Sequence, residues 1–383
     1  MRWEAQLIRQ PAGSPEAGTA GQVGAPLPLR GILRSVTTPA FDGITFHEVL
    51  SKSALNRVPE ASGMPFRWTV NPYRGCSHAC VYCFARKTHS YLDLDTGADF
   101  DAQLVVKVNI AEVLAAELRR PSWAGEHVAL GTNTDPYQRA EGRYRLMPGI
   151  IRALAGSGTP FSILTKGTLL ARDLELLTWA ARRVPVGVGL SIAMTDDSLS
   201  ARIEPGTPSP TARLRLLRRL VDAGVDASVM AMPVLPWLSD SDECLDALCG
   251  SLAAAGASSV TAGPLHLRPG AREWYFAWLR THRPDLLPGY SRLFARGSTA
   301  DPQYRSWLAG RIRHFRTRHG LAAGGGAFRE AQERARELRA SHGHADAAAG
   351  RGHAAAGPGS RSRSRAAASG RAPAGQDALF TLP

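Results

Sequence analysis

Three cysteines lie close together in the segment NPYRGCSHACVYCFAR, at Cys76, Cys80 and Cys83. Their C-x3-C-x2-C spacing brings three thiolates to one short loop, enough to hold three corners of a [4Fe-4S] cluster. Clusters that only carry electrons are usually held by four cysteines. The spacing therefore predicts a cluster in which one iron has no protein ligand and can bind a substrate or a cofactor.

Two other interpretations of these cysteines stay open from the spacing alone. A structural zinc site needs a fourth ligand, which His78 or His89 could supply, and disulfides would suit a secreted chain. The remaining cysteines, Cys244 and Cys249, are five residues apart, a spacing that does not place two side chains on one helical face. We expect both to be buried or half-buried thiols.

The composition is that of a cytoplasmic enzyme. A chain of 383 residues with 44% hydrophobic content can bury the core of one large domain with appendages. No apolar run reaches the length of a bilayer span, and the N-terminal MRWEAQLIRQ lacks the apolar stretch of a signal peptide. We expect no membrane partner, and a reducing compartment would keep the five cysteines unpaired.

The charge balance points to a polyanionic partner. The chain has 46 basic and 33 acidic residues, a net charge of +13. Lys and Arg gain affinity for nucleic acids by displacing counterions from phosphates. Nucleic acid heads the expected partners, and the alternative is an arginine-rich protein with no such ligand.

Both ends of the chain have the composition of disordered segments. Residues 1–30 are rich in Gly, Pro and Ala, and residues 31–66 are predicted to be an ordered lead-in. Residues 341–383 contain Ala, Gly, Ser and Arg with few large apolar side chains, too few to form a core. They are predicted to be a flexible basic tail.

The tail ends in the short peptide QDALF, Gln376 to Phe380. It resembles the Q-x-x-L-F peptide with which bacterial replication and repair proteins bind the sliding clamp. In that interpretation Leu379 and Phe380 fill an apolar pocket and Gln376 supplies a hydrogen bond. Five-residue matches also arise by chance.

The elements that must position the cysteine loop alternate between strands and helices. Amphipathic helical patterns separate short apolar runs rich in β-branched residues. The six runs are 67–71, 127–131, 161–166, 186–194, 226–234 and 259–263. Strands joined by crossover helices form parallel sheets, so we predict a partial (β/α)6 barrel over residues 67–268, with a doubly wound open sheet as the alternative.

Polar residues interrupt the apolar runs where the predicted strands end. Ligands gather at the carboxyl ends of parallel strands. Five such residues are therefore candidate ligand contacts: Thr132, Thr134, Asp135, Lys166 and Ser191. Thr168 and Ser209 are instead predicted to cap helices.

Several strings together resemble one family. NPYRGCSHACVYCFAR, GTNTDPYQ, LTKG, LSIAMTDDSLSARIEPGTPSPTARL and MPVLPWLSD resemble the radical SAM superfamily, and within it the spore-photolyase-related, DNA repair photolyase-like proteins. Tyr82 stands where the signature places an aromatic residue and is expected to contact the cofactor. The resemblance covers residues 40–320. It implies a [4Fe-4S] cluster that cleaves S-adenosylmethionine (SAM) reductively to a 5'-deoxyadenosyl radical.

The resemblance also implies roles for individual residues. In such relatives a hydroxyl after strand two and a lysine after strand three bind the amino-acid end of SAM, and a serine on strand four binds the ribose. The matching positions here are Thr132, Lys166 and Ser191. Asp135, Glu204 and Arg213 are candidate substrate contacts, and a structural ion pair between Glu204 and Arg213 is the alternative.

One departure bears on the substrate. The spore photolyase uses a further cysteine to return a hydrogen atom, and this chain has none between Cys83 and Cys244. A photolyase-like lyase acting on DNA is the first functional hypothesis. Modification of RNA, protein or a small molecule is the second, and a non-enzymatic iron-sulfur or zinc protein is the third. Ferredoxin or flavodoxin is the expected electron donor.

Residues 269–340 are predicted to form a C-terminal helical cap. Its helical patterns mix aromatic residues with arginines, and we expect Trp274, Trp278 and Trp307 to pack the cap onto the barrel. The alternative is a nucleic-acid face in which guanidinium groups bind phosphates. Its arginines would be Arg280, Arg305, Arg311, Arg313 and Arg316.

Overall fold

A computed structural model describes residues 31–324 of the chain. The predictions for residues 1–30 and 341–383, for the end of the cap and for Gln376, Leu379 and Phe380 lie outside the described residues. No helix in the described part is long and apolar enough to span a membrane.

Twelve strands form two sheets within residues 31–324. The strands are β1 (Ile32–Thr37), β2 (Thr45–Val49), β3 (Leu55–Arg57), β4 (Trp68–Val70), β5 (Tyr73–Arg74), β6 (Gln103–Lys107), β7 (Val128–Leu130), β8 (Phe161–Thr165), β9 (Val186–Ser191), β10 (Ala227–Val234), β11 (Ser259–Pro264) and β12 (Ala322–Ala323).

Eleven α-helices lie in the same part of the chain. They are α1 (Ala98–Ala102), α2 (Ile110–Leu118), α3 (Arg139–Tyr144), α4 (Met147–Gly156), α5 (Leu174–Ala181), α6 (Asp197–Ile203), α7 (Pro210–Asp222), α8 (Asp242–Ala254), α9 (Ala271–His282), α10 (Leu287–Leu293) and α11 (Pro302–Arg318). Short 3-10 helices at Phe84–Leu92 and Thr168–Asp173 lie near the predicted site.

The larger sheet is the predicted barrel wall. Its strand order is β12-β11-β10-β9-β8-β7-β4-β3. All pairs from β4 to β12 are parallel, and β3 alone runs antiparallel. The six predicted strands correspond to β4 and β7 to β11, which confirms the α/β fold. The strands added at the two edges, β3 and β12, were not predicted.

The smaller sheet has the order β1-β2-β6-β5 and was also not predicted. β6 lies within the first crossover connection and pairs in parallel with β2 and antiparallel with β5. β5 has two residues, and only Gly75 separates it from Cys76. The smaller sheet therefore anchors the start of the cysteine loop.

The outer helices bury one apolar face each against the larger sheet. In α7, Leu216, Leu217 and Leu220 are buried, as the 3.6-residue period requires. Ser209 caps this helix by accepting a hydrogen bond from the amide of Ala212, as predicted. The prediction for Thr168 was wrong: the capping position before its 3-10 helix is Gly167, and no side chain caps it.

The cap helices α9, α10 and α11 pack on the barrel through aromatic residues. Trp274, Trp278 and Trp307 are half-buried against the core, as predicted. Asp240, after β10, accepts hydrogen bonds from the Trp237 amide and the Tyr304 hydroxyl. This carboxylate thereby ties α11 to the end of a barrel strand.

Candidate functional site

The cysteine loop is compact and tightly turned. The amide of Ala79 donates to the carbonyl of Cys76, and the amide of Cys83 donates to the carbonyl of Cys80. Ala79 has a φ of 52°, a left-handed conformation that non-glycine residues adopt mainly in tight turns. The three thiols are free. Two are buried, and that of Cys83 is half-buried.

The two histidines considered as zinc ligands have other partners. His78 Nδ1 lies 3.4 Å from a carboxylate oxygen of Asp135, and His89 Nε2 lies 2.9 Å from the carbonyl of Gln103. Burial lowers the pKa of His78, but Asp135 and Cys76 raise it to about 10. Among the residues described, no three His, Cys, Asp or Glu side chains are gathered as for a single metal ion.

Burial also governs the thiols. It raises the pKa of Cys80 well above its usual range and raises that of Cys83 to about 11. Buried thiolates need a cation, because charge is costly in an apolar environment. Three free thiols on one loop therefore fit a [4Fe-4S] cluster, whose iron would stabilise the thiolates.

A fully buried arginine shapes this loop. The Arg86 guanidinium donates to the carbonyls of Cys80 and Gly97 and to the carboxylate of Asp101. It also lies 5.0 Å from the ring centroid of Trp274, so it links the loop to the cap. Burial raises the pKa of Asp101 to about 6, although Arg86 opposes this. Sequence reasoning missed Arg86, because no local pattern distinguishes it from the exposed Lys87 that follows it.

Two distant segments close over the loop. The Gln138 side chain accepts from the Ser77 amide at 2.8 Å and donates to the carbonyl of Gly75 at 3.1 Å. The Val81 amide donates to the carbonyl of Ile203 at 3.0 Å. Gln138, just before α3, and Ile203, the last residue of α6, thus hold the loop in place.

Lys166, Ser191 and Glu204 meet beside the cysteine loop. Lys166 Nζ lies 2.6 Å from Ser191 Oγ and 3.1 Å from Glu204 Oε1. The hydroxyl of Tyr82 donates to the same carboxylate, and Lys166 Nζ lies 5.8 Å from the Tyr82 ring centroid. The predicted meeting of the strand ends is therefore observed for Lys166 and Ser191, directly next to the cysteines.

Glu204 and Arg213 form a buried ion pair, the alternative left open by the sequence. Arg213 Nη2 lies 2.6 Å from Glu204 Oε2, and each side chain is 1% exposed. Arg213 also donates to the carbonyl of Ser191 at 2.9 Å. Burial raises the pKa of Glu204, but Lys166 and Arg213 outweigh it and hold the pKa far below its usual range. A substrate contact by Glu204 or Arg213 stays a prediction.

Asp135 organises the backbone at the end of β8. Its carboxylate accepts from the Thr165 hydroxyl at 2.5 Å and from the Lys166 amide at 2.6 Å. Burial raises the pKa of Asp135, but His78 and these donors lower it overall. Contact between Asp135 and a substrate stays a prediction.

The two threonines after β7 differ. Thr134 is buried and donates to the carbonyl of Tyr73 at 2.9 Å, which ties the β7 loop to β5. Thr132 is half-exposed and makes no hydrogen bond to another described residue. Its side chain is thus available to a ligand, and its contact with SAM stays a prediction.

The downstream cysteines do not share one environment. Cys249 is buried, but Cys244 is exposed on the first turn of α8. The prediction was therefore wrong for Cys244, because the apolar face of α8 falls on Leu245, Leu248 and Leu252.

The parallel barrel, its three-cysteine loop and the polar cluster at the strand ends define an enzyme class. The model of the radical SAM superfamily matches residues 70–248. The chain belongs to the radical SAM superfamily, whose members use a [4Fe-4S] cluster and SAM.

Proteins of mycobacteria and of an archaeal virus are similar to this chain. An uncharacterized protein of Mycobacterium tuberculosis (strain H37Rv) is 60% identical over 292 residues, which cover 76% of this chain and 86% of that protein. A Mycobacterium bovis protein gives the same values. An uncharacterized protein of Acidianus two-tailed virus is 28% identical over 209 residues, which cover 52% of this chain and 68% of that protein.

Solved structures of spore photoproduct lyase have the same fold. The lyase complexed with dinucleoside spore photoproduct aligns with a TM-score of 0.55 at 15% identity, covering 72% of this chain and 79% of the lyase. A mutant lyase with bound AdoMet and the same dinucleoside gives a TM-score of 0.52 at 16% identity, covering 69% and 76%. At this identity the likeness establishes the fold.

Proposed function

We propose that this radical SAM enzyme acts on DNA, in a photolyase-like reaction. Cys76, Cys80 and Cys83 would hold the cluster. Thr132, Lys166 and Ser191 would bind SAM. When bound, the cluster and SAM supply a 5'-deoxyadenosyl radical that takes a hydrogen atom from the substrate.

The observation that carries the proposal is the contact of Lys166 and Ser191 beside the cysteine loop. An ammonium group pairs with a carboxylate, such as that of the methionine part of SAM, and a hydroxyl can bond to sugar oxygens. Glu204 pairs with the lysine and fixes its direction. The Tyr82 hydroxyl donates to this carboxylate. The cysteine loop and Lys166 are therefore held at a fixed distance from each other.

DNA as the substrate is supported by charge and by fold. The net charge of +13 favours binding to phosphates, and the lyase with the same fold was solved with dinucleoside spore photoproduct. The missing cysteine between Cys83 and Cys244 leaves the hydrogen donor and the lesion open. RNA, protein or a small molecule is the alternative substrate.

Two protein partners belong to the proposal. Ferredoxin or flavodoxin would reduce the cluster, and the Gln376 to Phe380 peptide would bind the sliding clamp. Titration of a peptide of residues 370–383 against a clamp tests the second partner. No binding at tens of micromolar, roughly −6 kcal/mol, would end that idea.

Anaerobic reconstitution with iron and sulfide tests the chemistry. The wild-type protein should load iron and, with SAM and dithionite, release methionine and 5'-deoxyadenosine. The variant with Cys76, Cys80 and Cys83 changed to Ala should load none, whereas Cys244→Ala should load as the wild type. Equal loading of the triple variant would refute the cluster site. Mass spectrometry of irradiated DNA after incubation tests the substrate.

A further inference from the structure

We infer that a surface beside the cluster loop binds an unpaired nucleotide of the DNA substrate, by stacking its base on Phe84 and binding its phosphate with Arg268. This inference rests on the proposed function. It names the residues of the described chain that would recognise a single-stranded or flipped-out segment.

Phe84 is an exposed aromatic residue at an unusual place. It directly follows Cys83, and 45% of the residue is exposed, although its neighbours Ala85 and Arg86 are fully buried. The ring therefore presents an apolar face to solvent directly beside the cysteine loop.

Arg268 lies over this ring. Its guanidinium carbon is 5.5 Å from the Phe84 ring centroid. The residue is exposed, and no carboxylate within residues 31–324 lies within ion-pair distance of it. A guanidinium without a carboxylate partner is available for a phosphate.

The segment that carries Arg268 is held rigidly. It follows β11, at the carboxyl edge of the barrel where ligands gather. Leu265 and Leu267 are buried. Because side chains alternate between the two faces of an extended segment, Arg268 points outward. The amide of Leu267 donates to the carbonyl of Ser298 at 2.8 Å. The backbone that carries Arg268 is therefore fixed at this edge of the barrel.

Lys87 extends the positive charge of this surface. It is exposed on the 3-10 helix that begins at Phe84. Its Cα would lie 3.6 Å from a Cβ placed on Gly270, two residues beyond Arg268. One aromatic ring and two cations thus share the surface next to Cys83. Aromatic stacking beside basic groups is how proteins bind single strands with little sequence preference.

Anaerobic fluorescence anisotropy with the reconstituted full chain and a labelled oligo-dT of about 12 nucleotides tests the inference. Phe84→Leu should weaken binding about five-fold or more, because stacking is worth about 1–3 kcal/mol per base. Phe84→Trp should bind as the wild type. Arg268→Gln should weaken binding and lower the slope of log affinity against log salt by about 0.7, one phosphate contact on a single strand.

Tyr91→Leu and Arg182→Gln are matched controls. Tyr91 is 74% exposed on the same 3-10 helix, and Arg182 is exposed directly after α5. Both should bind the oligonucleotide as the wild type. Iron content is measured for each variant, and if Phe84→Leu loads less iron, Arg268→Gln decides the question.

The outcomes separate this inference from the proposed function. If the wild type releases 5'-deoxyadenosine but does not bind the oligonucleotide or duplex DNA, the DNA assignment fails as a whole. If the wild type binds and Arg268→Gln matches Arg182→Gln, only the inference is overturned. It is also overturned if Arg268→Gln slows SAM cleavage with flavodoxin but leaves dithionite-driven cleavage and DNA binding unchanged, because the surface would then serve the electron donor.

Discussion

The amide of Gly206 donates a hydrogen bond of 3.1 Å to the carbonyl of His78. This bond joins the segment after α6 to the middle of the cysteine loop. A Cβ on Gly206 would lie 1.9 Å from the carbonyl oxygen of Ser77, far inside van der Waals contact. The close approach therefore requires glycine, although the chain has an ordinary conformation there.

Gly206→Ala should displace the cysteine loop, because the clashing atoms belong to the backbone and cannot move as a side chain can. We expect lower iron content after reconstitution and a loss of about 1–3 kcal/mol in the free energy of unfolding. Gly310→Ala, in α11 with no atom near its Cβ, is the control and should gain about 0.5–1 kcal/mol. Full iron loading in Gly206→Ala would contradict the proposal that the close approach of Gly206 holds the cysteine loop in place.

Glu204→Gln should be strongly destabilising. It leaves Arg213, which is 1% exposed, and Lys166, which is 13% exposed, without their carboxylate. Breaking a buried pair in this way costs about 3–5 kcal/mol. Urea unfolding measures the loss, and Glu175→Gln, at an exposed position of α5, should change stability by less than about 0.5 kcal/mol. A loss as small in Glu204→Gln would show that the pair is not buried in solution.

Lys166→Met should weaken SAM binding about ten-fold or more, because a hydrogen bond to a charged group contributes about 1.5–3 kcal/mol. The methionine side chain fills the space of the lysine stem but lacks the ammonium group. Lys166→Arg keeps the charge and should retain part of the affinity. Anaerobic calorimetry with reconstituted protein gives the dissociation constants. Wild-type affinity in Lys166→Met would remove this lysine from the SAM site.

Asp240→Asn should alter the pH dependence of stability. Burial raises the pKa of Asp240 from 3.8 to about 6, against the hydrogen bonds from Tyr304 and Trp237. A raised carboxyl pKa stabilises the fold fully below about pH 3.8, and this contribution is lost as the pH rises through about 6. Relative to wild type, the variant should therefore gain up to about 3 kcal/mol between pH 4 and 7. If the unfolding free energies of wild type and Asp240→Asn differ by the same amount at every pH from 4 to 7, the pKa of Asp240 is not raised.

Sequence reasoning located the parts of the site that local patterns encode. Apolar β-branched runs revealed six barrel strands, and polar residues at their ends revealed Lys166 and Ser191. The parallel arrangement then requires these two side chains to be neighbours. Because β8 and β9 are neighbours in the sheet, the two side chains are near enough to form the observed contact of 2.6 Å.

Long-range contacts could not be predicted in this way. β6 was missed because its partner β2 lies more than 50 residues away and its short run has no clear alternation. Glu204 was a candidate substrate contact, with an ion pair to Arg213 as the alternative, but nothing local shows that Lys166 and Tyr82 also converge on it. Arg86 is similar, because its burial depends on Asp101 and on Trp274 of the cap.

The contact between Tyr82 and Glu204 spans 122 residues of sequence, and this separation constrains how the protein matures. During synthesis the three cysteines leave the ribosome well before Gly206. The nascent loop therefore lacks its contact with the segment after α6. Loading of the cluster should therefore follow folding of the barrel, as insertion into a preformed apo protein. Native near-ultraviolet circular dichroism of the iron-free chain would agree with this order, and an unfolded iron-free chain would reverse it.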